Sequence, residues 1–146
     1  MPTVGDVWSH KDFYVDSATG EFLTKYLLVL AVRPDGDIVY RLLTSREYNR
    51  TKAPTCHHEG DRPGFYLSIP QPTGLLNKET WLDLREEEDF DAKKFSDFAA
   101  ASILQQVHMI SIEQLCPALR CAAYAQDTTR SQKNHIMAAR AALSCP

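Results

Sequence analysis

Along the first half of the chain apolar and polar positions tend to alternate, and in the last third the apolar positions take up helical spacing. The strongest local pattern is Lys25 to Arg46, in which two runs rich in Leu, Val, Ile and Tyr flank Arg33-Pro34-Asp35-Gly36-Asp37. Proline pre-sets one turn dihedral and glycine accepts a positive one, so this segment predicts a β-hairpin. Upstream, Val4 to Tyr14 alternates loosely around Trp8 and predicts a first strand, followed by loop chemistry from Asp16 to Glu21. The polar stretch Glu47 to Pro63, with Asn49, Pro54, Gly60 and Pro63, predicts a long loop. Gly64 to Ile69 and Thr80 to Leu84 then read as two further short strands, which makes a meander of about five.

Beyond an acidic run, Glu86 to Asp91, the pattern changes. Phe95 to Ala101 is Ala-rich, and Leu104 to Ile110 fits either a late strand or the extension of a helix. Ser111 with Gln114 three residues later has the form of a capping box opening a helix through Leu115 to Ala123, with Pro117 in its first turn. Asp127 or Thr128 then caps a final helix through Leu143, with Ile136, Ala139, Arg140 and Leu143 at helical spacing. The expectation is one α+β domain over 1–146: a small antiparallel β-barrel over about 1–85, then a mainly helical extension over about 86–146.

Composition narrows this little: 146 residues, 44% hydrophobic and 24% charged, describe one ordinary globular domain. Charge narrows it more. The net charge of -3 excludes simple coating of a polyanion, so any nucleic-acid contact has to be local. The negative excess sits in 61–100, whereas Arg41, Arg46, Arg50, Lys52 and Arg62 outnumber Glu47, Glu59 and Asp61 across 41–62. The start MPTVGDVWSHKD has no signal-peptide pattern and no stretch is apolar enough for a membrane span, so a cytoplasmic protein is expected. Cys56, Cys116, Cys121 and Cys145 form no CxxC pair and are too unevenly placed for a disulfide framework, which predicts buried or free thiols.

Three short segments add a resemblance. Gly5-Asp6-Val7-Trp8 opens the first strand, Lys25-Tyr26-Leu27-Leu28-Val29-Leu30 lies on the second, and Arg41-Leu42-Leu43-Thr44-Ser45 ends the third. In order and spacing they resemble the MazF/PemK toxin family over roughly residues 4 to 84. The resemblance implies an SH3-like barrel of the MazF/PemK/CcdB type that forms homodimers, cleaves single-stranded RNA without metal or cofactor, and is neutralised by a cognate antitoxin protein. It places the family's catalytic Thr on Thr44 and its catalytic Arg on Lys25, where the following family Pro is Tyr26.

Metal-free RNA cleavage through a 2',3'-cyclic phosphate needs proton carriers and donors for the charge that develops on phosphorus. Thr44 and Ser45 supply hydroxyls, Lys25, Arg41, Arg46 and Arg50 supply positive charge, and His10, His57 or His58 exchange protons near neutral pH. Tyr48, inside the basic stretch, is placed to stack on a base. The catalytic candidates are therefore Lys25, Thr44, Ser45 and His10, and the RNA-binding candidates Arg41, Arg46, Tyr48, Arg50, His57 and His58. The acidic run 86–91 is expected away from any RNA groove or masking it. Two rival readings remain: a non-catalytic SH3-like module binding a peptide or protein, and a metal enzyme built on Cys56-His57-His58, for which no spacing identifies further ligands.

Overall fold

The computed structural model describes residues 1–45, 56–58, 60, 62–67 and 79–146. The expected hairpin is formed by β2 (Phe22–Val32) and β3 (Ile38–Thr44). Its turn is closed by Arg33 N–H donating to Asp37 O at 2.8 Å and Gly36 N–H to Arg33 O at 2.9 Å. Gly36 has φ +95°, the left-handed region that the turn requires. β1 (Asp6–Val15) pairs with β2, while β5 (Gly64–Tyr66) and β6 (Trp81–Asp83) continue the sheet beyond β3.

Two strands add to the expected five. Cys56–His57 forms a two-residue strand, β4, against β5, inside the stretch expected to be loop throughout. Leu104–Met109, which sequence left open between strand and helix, is strand β7 and pairs with β1. The result is a seven-stranded antiparallel sheet of order β4-β5-β6-β3-β2-β1-β7. Among the described residues the sheet is open, with β4 and β7 as its edges, and does not close into the expected barrel. β7 occupies the edge of β1 that closure would need, so the last third of the chain is woven into the sheet.

The helices among the described residues cover both faces. α2 (Ile112–Ala123) and α3 (Arg130–Ala142) pack on one, against Val7, Leu28, Leu43 and Leu82. α1 (Ala92–Ala100) packs on the other through Phe95, against Trp8, Leu27, Val29 and Tyr40. A register shift between Val29 and Ala31 turns both Leu30 and Ala31 to the α2/α3 face, where strict alternation would have split them. Gly5, at φ +95°, lets α2 close on the start of β1: a Cβ there would stand 2.8 Å from Leu115 Cδ2.

Helix ends depart from expectation in instructive ways. Ser111 caps α2 without accepting a backbone N–H: its hydroxyl donates to Gln114 Oε1 at 3.4 Å, while the Gln114 amide reaches past the end of β5 and donates to Leu67 O. The helix already begins at Ile112, so Pro117 lies in its second turn and not its first, and the Glu113 carbonyl loses its normal helical donor. The capping box belongs to α3: Thr129 Oγ1 accepts from Gln132 N–H at 3.1 Å, and Gln132 Oε1 from Thr129 N–H. The expected caps lie just upstream, and Thr128 instead donates its hydroxyl to Ala122 O.

The cysteines are corrected as well. All four are paired, Cys56 with Cys121 and Cys116 with Cys145, each with a Cα separation of 5.5 Å. The first pair is 65 residues apart and is joined only because β4 lies over α2, an approach that sequence spacing does not encode. No helix among the described residues is long and apolar enough to cross a membrane.

Candidate functional site

Strand register brings three of the four catalytic candidates, His10, Lys25 and Thr44, into one row. His10 on β1 pairs with Lys25 on β2. On the other side of β2, Tyr26 pairs with Leu43, so continuing one step sets Lys25 opposite Thr44. Thr44 in turn pairs with Trp81 of β6. Directly opposed residues share a face, so His10, Lys25 and Thr44 stand side by side across three strands, at ordinary cross-strand Cβ separations of about 5 Å per step. They lie on the α1 face, at the end of β3 where Ser45 is exposed. The Lys25 ammonium is 5.4 Å from the centre of the Tyr14 ring, a cation–π contact that holds its charge near this row.

His10 is 6% exposed and sits among the rings of Phe13, Phe98 and Phe90, with centroids 5.4, 5.5 and 6.0 Å away. Burial pushes its imidazole below the ordinary value of 6.5; Asp12 acts in the opposite direction and Lys94 reinforces the shift. The ring is therefore neutral at pH 7. Asp12 N–H donates to His10 Nδ1 at 3.3 Å, so the neutral ring carries its proton on Nε2. The side chain thus offers an N–H donor, a role suited to stabilising negative charge.

Beside His10 lies a cavity of about 410 Å³, lined also by Tyr40, Glu87, Glu88, Asp91 and Lys94. Tyr40 donates its hydroxyl to Glu87 Oε1 at 3.2 Å. Burial, followed by the charge of Glu87, raises the Tyr40 phenol well above its usual range, and burial raises the Glu87 carboxyl. Of the two expected placings, the acidic run does not lie away from the row but borders it at His10, as the masking alternative has it. Neither Tyr40, within the hairpin, nor Glu87, within the acidic run, is marked as a site residue by the sequence. Alternation along β3 did carry a signal for Tyr40, which shares a face with Thr44.

The RNA-binding candidates are scattered. Arg41 is fully buried on the opposite face. Its guanidinium donates to Tyr40 O at 2.8 Å, Glu87 O at 3.1 Å and Gln132 Oε1 at 3.1 Å, which ties α3 to the sheet and removes it from any groove. Alternation put Arg41 on the face opposite Thr44; only the packing of α3 made that face interior. Arg46, Tyr48 and Arg50 lie outside the described residues. His57 and His58 are not in the row, since β4 is three strands from β3, roughly 14 Å at the usual inter-strand spacing.

His58 joins a different group. Its Nε2 lies 2.9 Å from Cys56 Sγ, 3.6 Å from Cys121 Sγ and 3.1 Å from Cys121 O. Of the set Cys56-His57-His58, structure thus retains the first and third members and supplies Cys121 from α2. No protein-family model matches the chain, and neither a curated protein nor a solved structure shows significant similarity to it.

Proposed function

We propose that this chain is a MazF/PemK-like endoribonuclease toxin, a homodimer with an SH3-like core that cuts single-stranded RNA without metal and is held in check by a cognate antitoxin. The observation that carries the reading is the alignment of His10, Lys25 and Thr44 in one cross-strand row. Lys25 and the hydroxyls of Thr44 and Ser45 hold the scissile phosphate. Solvent water takes the 2'-hydroxyl proton as the 2'-oxygen attacks phosphorus and returns one to the departing 5'-oxygen, while Lys25 and the His10 Nε2–H offset the negative charge that builds on the non-bridging oxygens. Lys contributes a point charge where Arg would contribute a bidentate fork, so phosphate positioning falls more heavily on Thr44.

The test is incubation of purified protein with a long single-stranded RNA in EDTA. Cleavage to products ending in 2',3'-cyclic phosphate is expected, with losses of about a hundredfold in Lys25→Ala and Thr44→Ala, the usual scale for one stabilising donor. An intact RNA, together with no growth arrest on expression, overturns the enzymatic reading.

The carboxylate-lined cavity beside His10 favours a second reading: a non-catalytic module that takes a basic peptide. Binding of a Lys/Arg-rich peptide, weakened by Glu87→Gln and salt, without RNA cleavage, selects it.

A further inference from the structure

The group formed by Cys56, His58 and Cys121 lies on the helix side of β4, apart from the His10 row. Its three ligand atoms, two sulfurs and one imidazole nitrogen, all lie within 4.8 Å of one another. Two elements distant in sequence deliver them: β4 supplies Cys56 and, just past its end, His58, and α2 supplies Cys121. Cys56 is exposed, whereas Cys121 is buried at 3% exposure, so one sulfur of the disulfide is open to attack and the other is anchored. Alternation along β4 sends His57 to the other face, and it takes no part.

We propose that Cys56, His58 and Cys121 form a redox-gated zinc site: disulfide-bonded when oxidised, and holding one Zn²⁺ when reduced. The gating step is thiol–disulfide exchange with an external dithiol. Its thiolate attacks Cys56 Sγ, the S–S bond breaks, and Cys121 leaves as thiolate; the second thiol of the reductant then releases Cys56 and closes the reductant's own disulfide. Two electrons pass to the protein sulfurs, and two protons accompany them as thiols. Zn²⁺ displaces those protons and binds two thiolates and the His58 imidazole.

The ligand set suits zinc. Two thiolates and one imidazole are soft to borderline donors that select Zn²⁺ over Mg²⁺ or Ca²⁺. Zn–S bonds of about 2.3 Å and a Zn–N bond of about 2.1 Å put tetrahedral ligand atoms about 3.5 to 3.8 Å apart; the Cys121 Sγ to His58 Nε2 distance of 3.6 Å already matches, and breaking the disulfide frees the two sulfurs to part to that spacing. Three protein ligands leave a fourth position, which faces a cavity of about 490 Å³ lined also by Phe65, Pro117, Arg120 and Tyr124. The Arg120 guanidinium beside it favours an anionic fourth ligand, hydroxide or a carboxylate, over a neutral one.

Full-length protein reduced with a dithiol, desalted under anaerobic conditions and titrated with Co²⁺ and then Zn²⁺ tests the site. One equivalent of Co²⁺ is expected to produce the thiolate charge-transfer band and the visible bands of a tetrahedral ion, which Zn²⁺ then bleaches. Oxidised protein is expected to give neither. His58→Ala keeps both disulfides, and because loss of an outer-shell partner alone costs about 10- to 100-fold in affinity, loss of this ligand is expected to exceed about a hundredfold. Cys116→Ser/Cys145→Ser, which removes the other disulfide, is expected to bind as wild type does. The proposal is overturned if reduced wild-type protein gives no stoichiometric cobalt spectrum, if His58→Ala binds undiminished, or if the oxidised form binds equally well.

Discussion

The two faces of the sheet differ in what they bury. Under α2 and α3 the core is aliphatic, with Leu28, Leu30, Leu43, Leu82, Leu119 and Ile136 closed to solvent, and the buried Arg41 is hydrogen-bonded to three neighbouring oxygens at 3.1 Å or less. Under α1 the core is aromatic, built on Trp8, Tyr40, Phe90 and Phe95, and beside it lies an open cavity bordered by His10, Glu87 and Lys94. A shorter helix covers less of that face, and burial displaces the protonation of His10 and Glu87 beside the cavity, as it does that of Arg41 on the other face. The first face is chiefly closed packing, and the second borders a cavity lined by titratable groups. One strand serves both, because Arg41 and Thr44 lie three residues apart on β3 and so point opposite ways.

Substitutions on the two faces can break this division. The largest effect is expected from Arg41→Ala, which strips Gln132 and the Glu87 carbonyl of a buried partner and should cost about 3 to 5 kcal/mol in urea denaturation. A stable Arg41→Ala protein with weakened RNA binding would return Arg41 to the functional side. Next, Cys116→Ser/Cys145→Ser opens a covalent link spanning 29 residues between α2 and the segment after α3. A loss of about 3 kcal/mol is expected from the closed-loop entropy, read against the reduced wild type as a control.

On the α1 face, Thr44→Ala is expected to cost about 1 kcal/mol or less in stability while lowering RNA cleavage about a hundredfold. A large stability loss at Thr44 would instead make it a structural residue.

The smallest effect is a slope. Because burial lowers the His10 imidazole below 6.5, the unfolded chain binds more protons than the folded one between the folded value and 6.5. Stability from this group is therefore complete above about pH 6.5 and is lost as the pH falls toward the folded value. Glu87 has the opposite sign: with its carboxyl raised above 4.5, its contribution is complete below that value and is lost as the pH rises through the folded one. His10→Phe is expected to flatten the acid side of the Tm profile by a few degrees at most, leaving the Glu87 slope. An unchanged profile would show that His10 is not neutral in the folded protein.

Much of the first face was legible in the pattern of residues. Alternation across Lys25 to Arg46 and the Pro-Asp-Gly turn between its halves are local, so the hairpin followed from dihedral preference and period alone. The late strand was harder, because Leu104 to Ile110 is short and apolar enough for either period, and only the free edge of β1 decided it. For the candidate site, the identities of His10, Lys25 and Thr44 were available from the chain, but their alignment depends on two registers. Tyr40 and Glu87 were missed because their partnership joins β3 to a segment 47 residues on.

By itself the sequence determined what depends on near neighbours: the hairpin, the residues facing each side of a strand away from its bulges, the helices after Ile110, and the placing of negative charge in 61–100. Tertiary structure decided what depends on distant approach. β7 on the edge of β1 left the sheet open among the described strands, α3 buried Arg41, β4 over α2 joined Cys56 to Cys121 with His58 beside them, and the acidic run came to border His10. Local propensity is a property of a few consecutive residues, whereas these contacts arise only when elements tens of residues apart bury surface against one another.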